Sequence, residues 1–223
     1  MTWADAAPNG REMNSEQRQP ATPGYIIFVL LVGLAAGAAE SSPAVPASFS
    51  IESLFERSRY EASLDSGVLF SPFVATKNRP TINYTITSLQ LGYMITDVNG
   101  AGWLRGNFEL LADGFGSRVF KGVGSYVAGA TLWLRYNFVP PTCRLTPYAQ
   151  AGGGFVFTDI DREIVGEEFN FNLDLGVGVR YFIASHWSLD LEYRYQHISN
   201  ADLGRKNIGI NAHGPVLGVS FFF

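Results

Sequence analysis

Trp187-Ser188-Leu189-Asp190-Leu191-Glu192-Tyr193-Arg194-Tyr195-Gln196-His197-Ile198-Ser199 alternates in type with a period of two. Up to Gln196 the odd positions are apolar or aromatic and the even positions polar or charged. Side chains two residues apart on a strand share a face, so the segment predicts a strand with one greasy side and one ionic side. Parity places His197 and Ser199 at the end of the greasy row, a base beside a hydroxyl. Soluble enzymes line concave pockets with such groups. Exposure on a hydrophobic surface makes sense when that surface faces a membrane.

The same alternation recurs on either side. In 169–182, Phe169, Phe171, Leu173, Leu175, Val177, Val179 and Tyr181 oppose Asn170, Asn172, Asp174 and Arg180. In 126–139, Tyr126, Leu132, Leu134, Tyr136 and Phe138 oppose Thr131, Arg135 and Asn137. Turn signals separate eight strand-length segments, expected at 57–73, 81–95, 102–113, 126–139, 145–158, 169–182, 186–199 and 211–223. The second changes phase near Ser88, which suggests a bulge or a misplaced boundary. The fifth is glycine-rich and its facing is ambiguous.

The polar face decides between a soluble and a membrane barrel. It carries Arg105, Arg135, Arg180 and Arg194 against Glu109, Asp174, Asp190 and Glu192, with glycines interleaved. Balanced charge suits a filled interior in which ions pair because water is scarce. The opposite face is almost purely aliphatic, with aromatics towards the strand ends. Apolar-out, polar-in alternation with aromatic girdles marks a transmembrane β-barrel, and in lipid the sheet must close to pair every backbone donor. The expected fold is therefore all-β, an eight-stranded antiparallel transmembrane barrel. A bore of eight strands is filled by side chains, so no pore is expected. Connections near 99–100, 140–141 and 184–185 are short, while 114–125, 159–168 and 200–210 are long. Short turns on the periplasmic side and longer loops outside fit bacterial outer-membrane barrels, as does the terminal Phe221-Phe222-Phe223.

Composition agrees. The 223 residues include 24 glycines, 14% aromatics and only 16% charged residues, with a net charge of −4. Nothing in that balance advertises nucleic acid. The single cysteine, Cys143, sits beside Pro140 and Pro141 and excludes an internal disulfide framework. The apolar run at 25–36 is shorter than the ~20 residues a spanning helix needs. Followed by small residues, it reads as a signal peptide over 1–39, with an overlong leader in which Met13 is an alternative start; an uncleaved anchor is the competing reading. Residues 40–56 read as a spacer and 57–223 as the barrel.

From Trp187 to His197 is ten steps, roughly 25 Å along the membrane normal at ~3.3 Å per residue and ~40° tilt. With Trp187 at the periplasmic girdle, His197 and Ser199 reach the outer interface, near the acyl ester bonds of outer-leaflet glycolipids. The following loop, from Asn200 to Asn211, adds amide donors and basic residues. His197-Ile198-Ser199-Asn200-Ala201, with Asn207, Gly209 and Asn211, resembles the signature of the lipid A 3-O-deacylase family. Leu134-Arg135-Tyr136-Asn137-Phe138, Pro147-Tyr148, Phe169-Asn170-Phe171 and Glu192-Tyr193-Arg194-Tyr195 extend the similarity over roughly 66–223.

The resemblance implies an outer-membrane serine esterase that removes the ester-linked acyl chain at position 3 of lipid A, with lipopolysaccharide as substrate and neither cofactor nor metal. Ser199 would be the nucleophile and His197 the general base, since serine attacks only when a base takes its proton. Asn207 would donate to the oxyanion and Asn200 would fix the loop. The acid that orients the histidine in the best-known pattern aligns with Asn211, whose carbonyl can hold the imidazole tautomer but cannot neutralise imidazolium. Asp202 is the alternative orienting group. Arg205 and Lys206 are candidates for lipid A phosphates. Homodimerisation stays open. The competing readings are a non-catalytic structural or adhesion barrel and a soluble barrel that binds a small lipid inside.

Overall fold

The computed structural model describes residues 50–72, 78–141, 144–204 and 206–223. The expected signal peptide, Cys143 and Arg205 lie outside these residues. Eight strands follow one another: β1 (Tyr60–Ser71), β2 (Ile82–Met94), β3 (Gly106–Lys121), β4 (Tyr126–Phe138), β5 (Leu145–Thr158), β6 (Phe169–Phe182), β7 (Trp187–Ser199) and β8 (Ile210–Phe222). Each pairs antiparallel with the next, and β8 returns to β1, closing the barrel. Closure leaves no sheet edge, the condition for standing in lipid.

Alternation places Leu89, Leu132, Leu173, Leu191 and Leu217 outside, each half or more exposed. Aromatic rings gather at the two ends of this apolar band. At the end carrying both termini of the barrel, Tyr60 stacks on Phe223 at 5.7 Å and Trp187 meets Phe221 at 4.8 Å. At the other end Phe155, Phe157, Phe169 and Phe171 pack ring against ring at 5.3–6.3 Å.

The lumen is filled in three layers. In the middle, Glu61 takes Arg180 at 2.8 Å and Arg135 at 3.3 Å, and Arg194 meets Glu192 at 2.7 Å and Asp113 at 3.5 Å. These groups are almost fully buried, so each charge relies on its partner. The Arg194 guanidinium also lies over the Trp133 ring. Trp133 fits because Gly152 faces it; a methyl there would fall 2.8 Å from the indole. That settles the facing of the glycine-rich β5, whose Thr146, Tyr148, Gln150, Val156 and Thr158 point inward.

Below the ionic layer, Leu54 and Phe55 pack with Met94, Val139, Phe182 and Phe222. The first two come from a 3-10 helix (Ile51–Phe55), so the segment set apart as spacer ends by closing the lower lumen. Above it, Tyr84, Ile86, Val127, Val156, Ile198 and Ile210 pack under Ile164 and Val165 of a one-turn helix, α1 (Arg162–Val165).

Three expectations need correction. β2 has no phase change at Ser88: from Tyr84 to Gly92 the even positions stay inward. The apparent slip arose because Tyr84 and Ile86 are apolar yet point into the upper apolar layer; the register shift lies at Asn83/Tyr84. The third strand is Gly106–Lys121 rather than 102–113. Gly102–Leu104 forms a 3-10 turn, while Gly114 and Gly116, read as loop, sit on the open outer face and pair with both neighbouring strands. The connection to β4 therefore shrinks to 122–125. Finally, Arg105 precedes β3 and pairs with Glu52 instead of joining the ionic layer.

Candidate active site

The outward row of β7 carries the candidate residues His197 and Ser199. Gln196, Ile198 and Asn200 are buried in the lumen, so His197 and Ser199, of opposite parity, lie on the outer wall, each partly exposed. Tyr193, two positions before Tyr195 in that row, is about half exposed. The strand is positioned by twelve consecutive pairs with β6 and twelve with β8.

Across the β7–β8 ladder, His197 stands opposite Asn211. The imidazole Nδ1 meets the Asn211 Oδ1 at 2.5 Å. A carboxamide oxygen can only accept, so Nδ1 carries the proton and Nε2 is left with its lone pair. That is the tautomer a general base needs. Asn211 rather than Asp202 thus meets the imidazole; the Asp202 carboxylate instead accepts from Asn207 Nδ2 at 3.0 Å.

Ser199 is two residues beyond His197 on the same row. No hydrogen bond joins the two among the described residues. Gly209, at φ +71°, lies beside both: a methyl on it would fall 3.1 Å from Ile198 O and come into ordinary contact with His197 Cε1 at 3.4 Å and Ser199 Cβ at 3.7 Å. The left-handed backbone there favours glycine.

Asn200 organises the loop that follows. It is almost fully buried. Its Oδ1 accepts from Asp202 N at 2.9 Å, and its Nδ2 donates to Lys206 O at 2.8 Å. Ala201 and Asp202 take φ of 52° and 61°, a conformation costly for residues with a Cβ that the Asn200 bonds stabilise. Asn207 is turned into the same loop: Oδ1 accepts from Asn200 N at 3.3 Å and one Nδ2 hydrogen goes to Asp202. Its second Nδ2 hydrogen has no partner among the described residues.

Two supports come from elsewhere in the chain. The Ile164 carbonyl of α1 accepts from both Ile208 N (3.0 Å) and Gly209 N (3.1 Å), and Lys206 pairs with Glu163. Arg79, just before β2, donates from Nη1 to Gly209 O at 3.2 Å. Neither support was anticipated. The apolar pair Ile164-Val165 inside a charged stretch was a signal for α1; Arg79 had none, because only tertiary folding brings it to residue 209.

A cleft of about 440 Å³ opens at the loop end of the barrel, lined in part by Asn78, Val123, Glu163, Lys206 and Ile208. His197 and Ser199 do not line it, consistent with a site on the wall. Lys206 already pairs with Glu163. His186, at the far end of β7, meets Phe222 O at 2.8 Å, and His213 meets Tyr193 Oη at 2.6 Å. Among the described residues no three potential metal ligands cluster.

A family model described as lipid A 3-O-deacylase (PagL) matches residues 78–220, more than half of the chain. The crystal structure of the outer membrane enzyme PagL superposes with a TM-score of 0.50 at 18% identity, covering 72% of this chain and 98% of that one. Neisserial surface protein A superposes with a TM-score of 0.52 at 16% identity, covering 74% and 97%. At these identities both show the shared barrel alone. No curated protein sequence matches significantly.

Proposed function

The chain belongs to the lipid A 3-O-deacylase family, and from that membership we propose that it is a serine esterase of the bacterial outer membrane that cleaves the 3-O-linked acyl chain of lipid A in the outer leaflet. The observation that carries the reading is the 2.5 Å contact between His197 Nδ1 and Asn211 Oδ1 on the outer wall. It leaves a basic Nε2 on the surface where an acyl ester in a bilayer would lie.

In this mechanism Nε2 of His197 accepts the Ser199 hydroxyl proton as Oγ attacks the ester carbonyl carbon. Hydrogen bonds of this kind often tighten only when substrate is bound, which accounts for the open Ser199–His197 geometry. The tetrahedral oxyanion takes the uncommitted Nδ2 hydrogen of Asn207; such a donor is worth about 3–4 kcal/mol of barrier. Collapse breaks the bond to the sugar 3-oxygen, which leaves with the proton from His197. Water, deprotonated by the same imidazole, then releases the fatty acid and restores Ser199. The wall location lets the substrate remain in the leaflet, so no acyl chain has to be extracted into water.

The test is mass spectrometry of lipid A after expression in a host whose lipid A keeps its 3-position chain. Loss of that chain with the intact protein and its retention with Ser199→Ala is the expected result. Retention with both, or equal loss with both, rejects the esterase. The second reading, a non-catalytic outer-membrane barrel, predicts no change in lipid A with either form.

A further inference from the structure

Arg79 is 3% exposed, yet it lacks the arrangement of the other buried arginines. Arg135, Arg180 and Arg194 each face carboxylates in the lumen. Among the described residues, the Arg79 side chain has one hydrogen bond, from Nη1 to the Gly209 carbonyl, its buried Nε has none, and its ionisable neighbour is the Tyr195 phenol rather than a carboxylate. Burying a guanidinium so sparsely paired costs stability. A hydrophobic residue would fill the position at lower cost, so stability alone does not account for it.

What Arg79 holds is a single peptide unit. Gly209 is drawn by Arg79 through its carbonyl and by the Ile164 carbonyl through its N–H at 3.1 Å. The two arms come from opposite parts of the chain, the approach to β2 and the α1 segment. Between them Gly209 is held where its Cα faces His197 Cε1 and Ser199 Cβ. A shift of this peptide towards β7 would narrow the space beside the imidazole and the hydroxyl, which a Cβ at Gly209 would already meet at 3.4 Å and 3.7 Å.

We propose that Arg79 is a positioning residue for the esterase, fixing the His197–Ser199 geometry through the Gly209 peptide. The inference rests on the serine-histidine reading above. Among the described residues no hydrogen bond joins Arg79 to either member of the pair, so its loss should lower turnover and leave substrate affinity alone. A misplacement of about 1 Å at reacting groups costs on the order of a hundredfold in rate.

The experiment uses the full chain refolded in detergent, with Ser199 labelling by a fluorophosphonate and lipid A turnover measured in parallel. Heat-modifiable gel mobility reports the folded barrel. Expected are rapid labelling of the unsubstituted protein, none of Ser199→Ala, and at least tenfold slower labelling and turnover of Arg79→Met at unchanged KM. Arg79→Lys, which keeps a cationic donor and guards against a misfolded Met variant, should recover part of the rate. Folded Arg79→Met that labels and turns over at the original rate overturns the proposal, as does a loss confined to KM. An unsubstituted protein that neither labels nor deacylates rejects the esterase reading and this inference together, whereas normal activity with an indifferent Arg79 rejects this inference alone.

Discussion

Replacing Asn211 with aspartate should make the enzyme faster. The carboxamide oxygen already sits 2.5 Å from His197 Nδ1 and across the ladder from it, so the substitution changes charge with almost no change in shape. A general base acts from its neutral form, which gains little from a carboxylate partner. In the mechanism proposed above the imidazole holds the Ser199 proton in the transition state, where a carboxylate would face an imidazolium. A hydrogen bond between neutral groups is worth about 0.5–1.5 kcal/mol and one to a charged group about 1.5–3 kcal/mol. The difference, about 1–1.5 kcal/mol, appears only in the transition state and so acts on kcat. That corresponds to roughly a five- to tenfold increase. Asn211 is only partly buried, so the carboxylate keeps some solvent and the gain should fall at the lower end of that range. Steady-state deacylation of lipid A in detergent micelles gives kcat and KM separately. Asn211→Leu, of similar size without an acceptor, should lose activity through kcat. Equal kcat for the unsubstituted barrel and for folded Asn211→Asp and Asn211→Leu would refute the orienting role and with it the assignment of His197 as the base.

Three further predictions probe the supports and the lumen. Gly166→Ala would place a methyl 2.1 Å from Lys206 O and 2.2 Å from Asn200 Nδ2, at a φ of +81°; deacylation should fall more than tenfold while heat-modifiable gel mobility stays that of the folded barrel. Arg180→Met leaves the Glu61 carboxylate, which it meets at 2.8 Å, with Arg135 at 3.3 Å as its remaining cation; breaking a buried pair from one side costs about 3–5 kcal/mol, so a loss towards the lower end is expected, read as a lower urea midpoint for unfolding from liposomes. Asp159 accepts from Ser125 N at 2.7 Å and Tyr126 N at 3.0 Å, and these amides hold its carboxyl below the usual carboxylate range. A depressed folded pKa contributes stability above the ordinary carboxylate pKa and loses it as pH falls through the folded value. Hydrogen exchange at Ser125 and Tyr126, corrected for its intrinsic pH dependence, should therefore lose protection on acidification below that range, and Asp159→Ala should show the loss already at neutral pH.

The barrel was legible because its signal is local. A strand in lipid repeats its chemistry every second residue, so Trp187 to Gln196 and Phe169 to Phe182 reveal face, pairing and environment without any long-range information. The same locality explains the errors. Tyr84 and Ile86 broke the expected pattern because the lumen is layered, and an apolar layer turns greasy side chains inward at one height only. Gly114 and Gly116 look like a turn in sequence, yet on a wall facing lipid a missing side chain interrupts no hydrogen bond.

By itself the sequence determined the period, the closed apolar-out wall and the parity that sends His197, Ser199 and Asn211 to one side of it. Only the tertiary structure decided that Asn211 rather than Asp202 meets the imidazole, that Asn207 is braced within its own loop, and that Arg79 and Ile164 converge on Gly209. The physical reason is distance along the chain. Facing is fixed by neighbours two residues away, whereas Arg79 and Gly209 are 130 residues apart and meet only because closing β8 onto β1 brings the approach to β2 beside the loop that precedes β8.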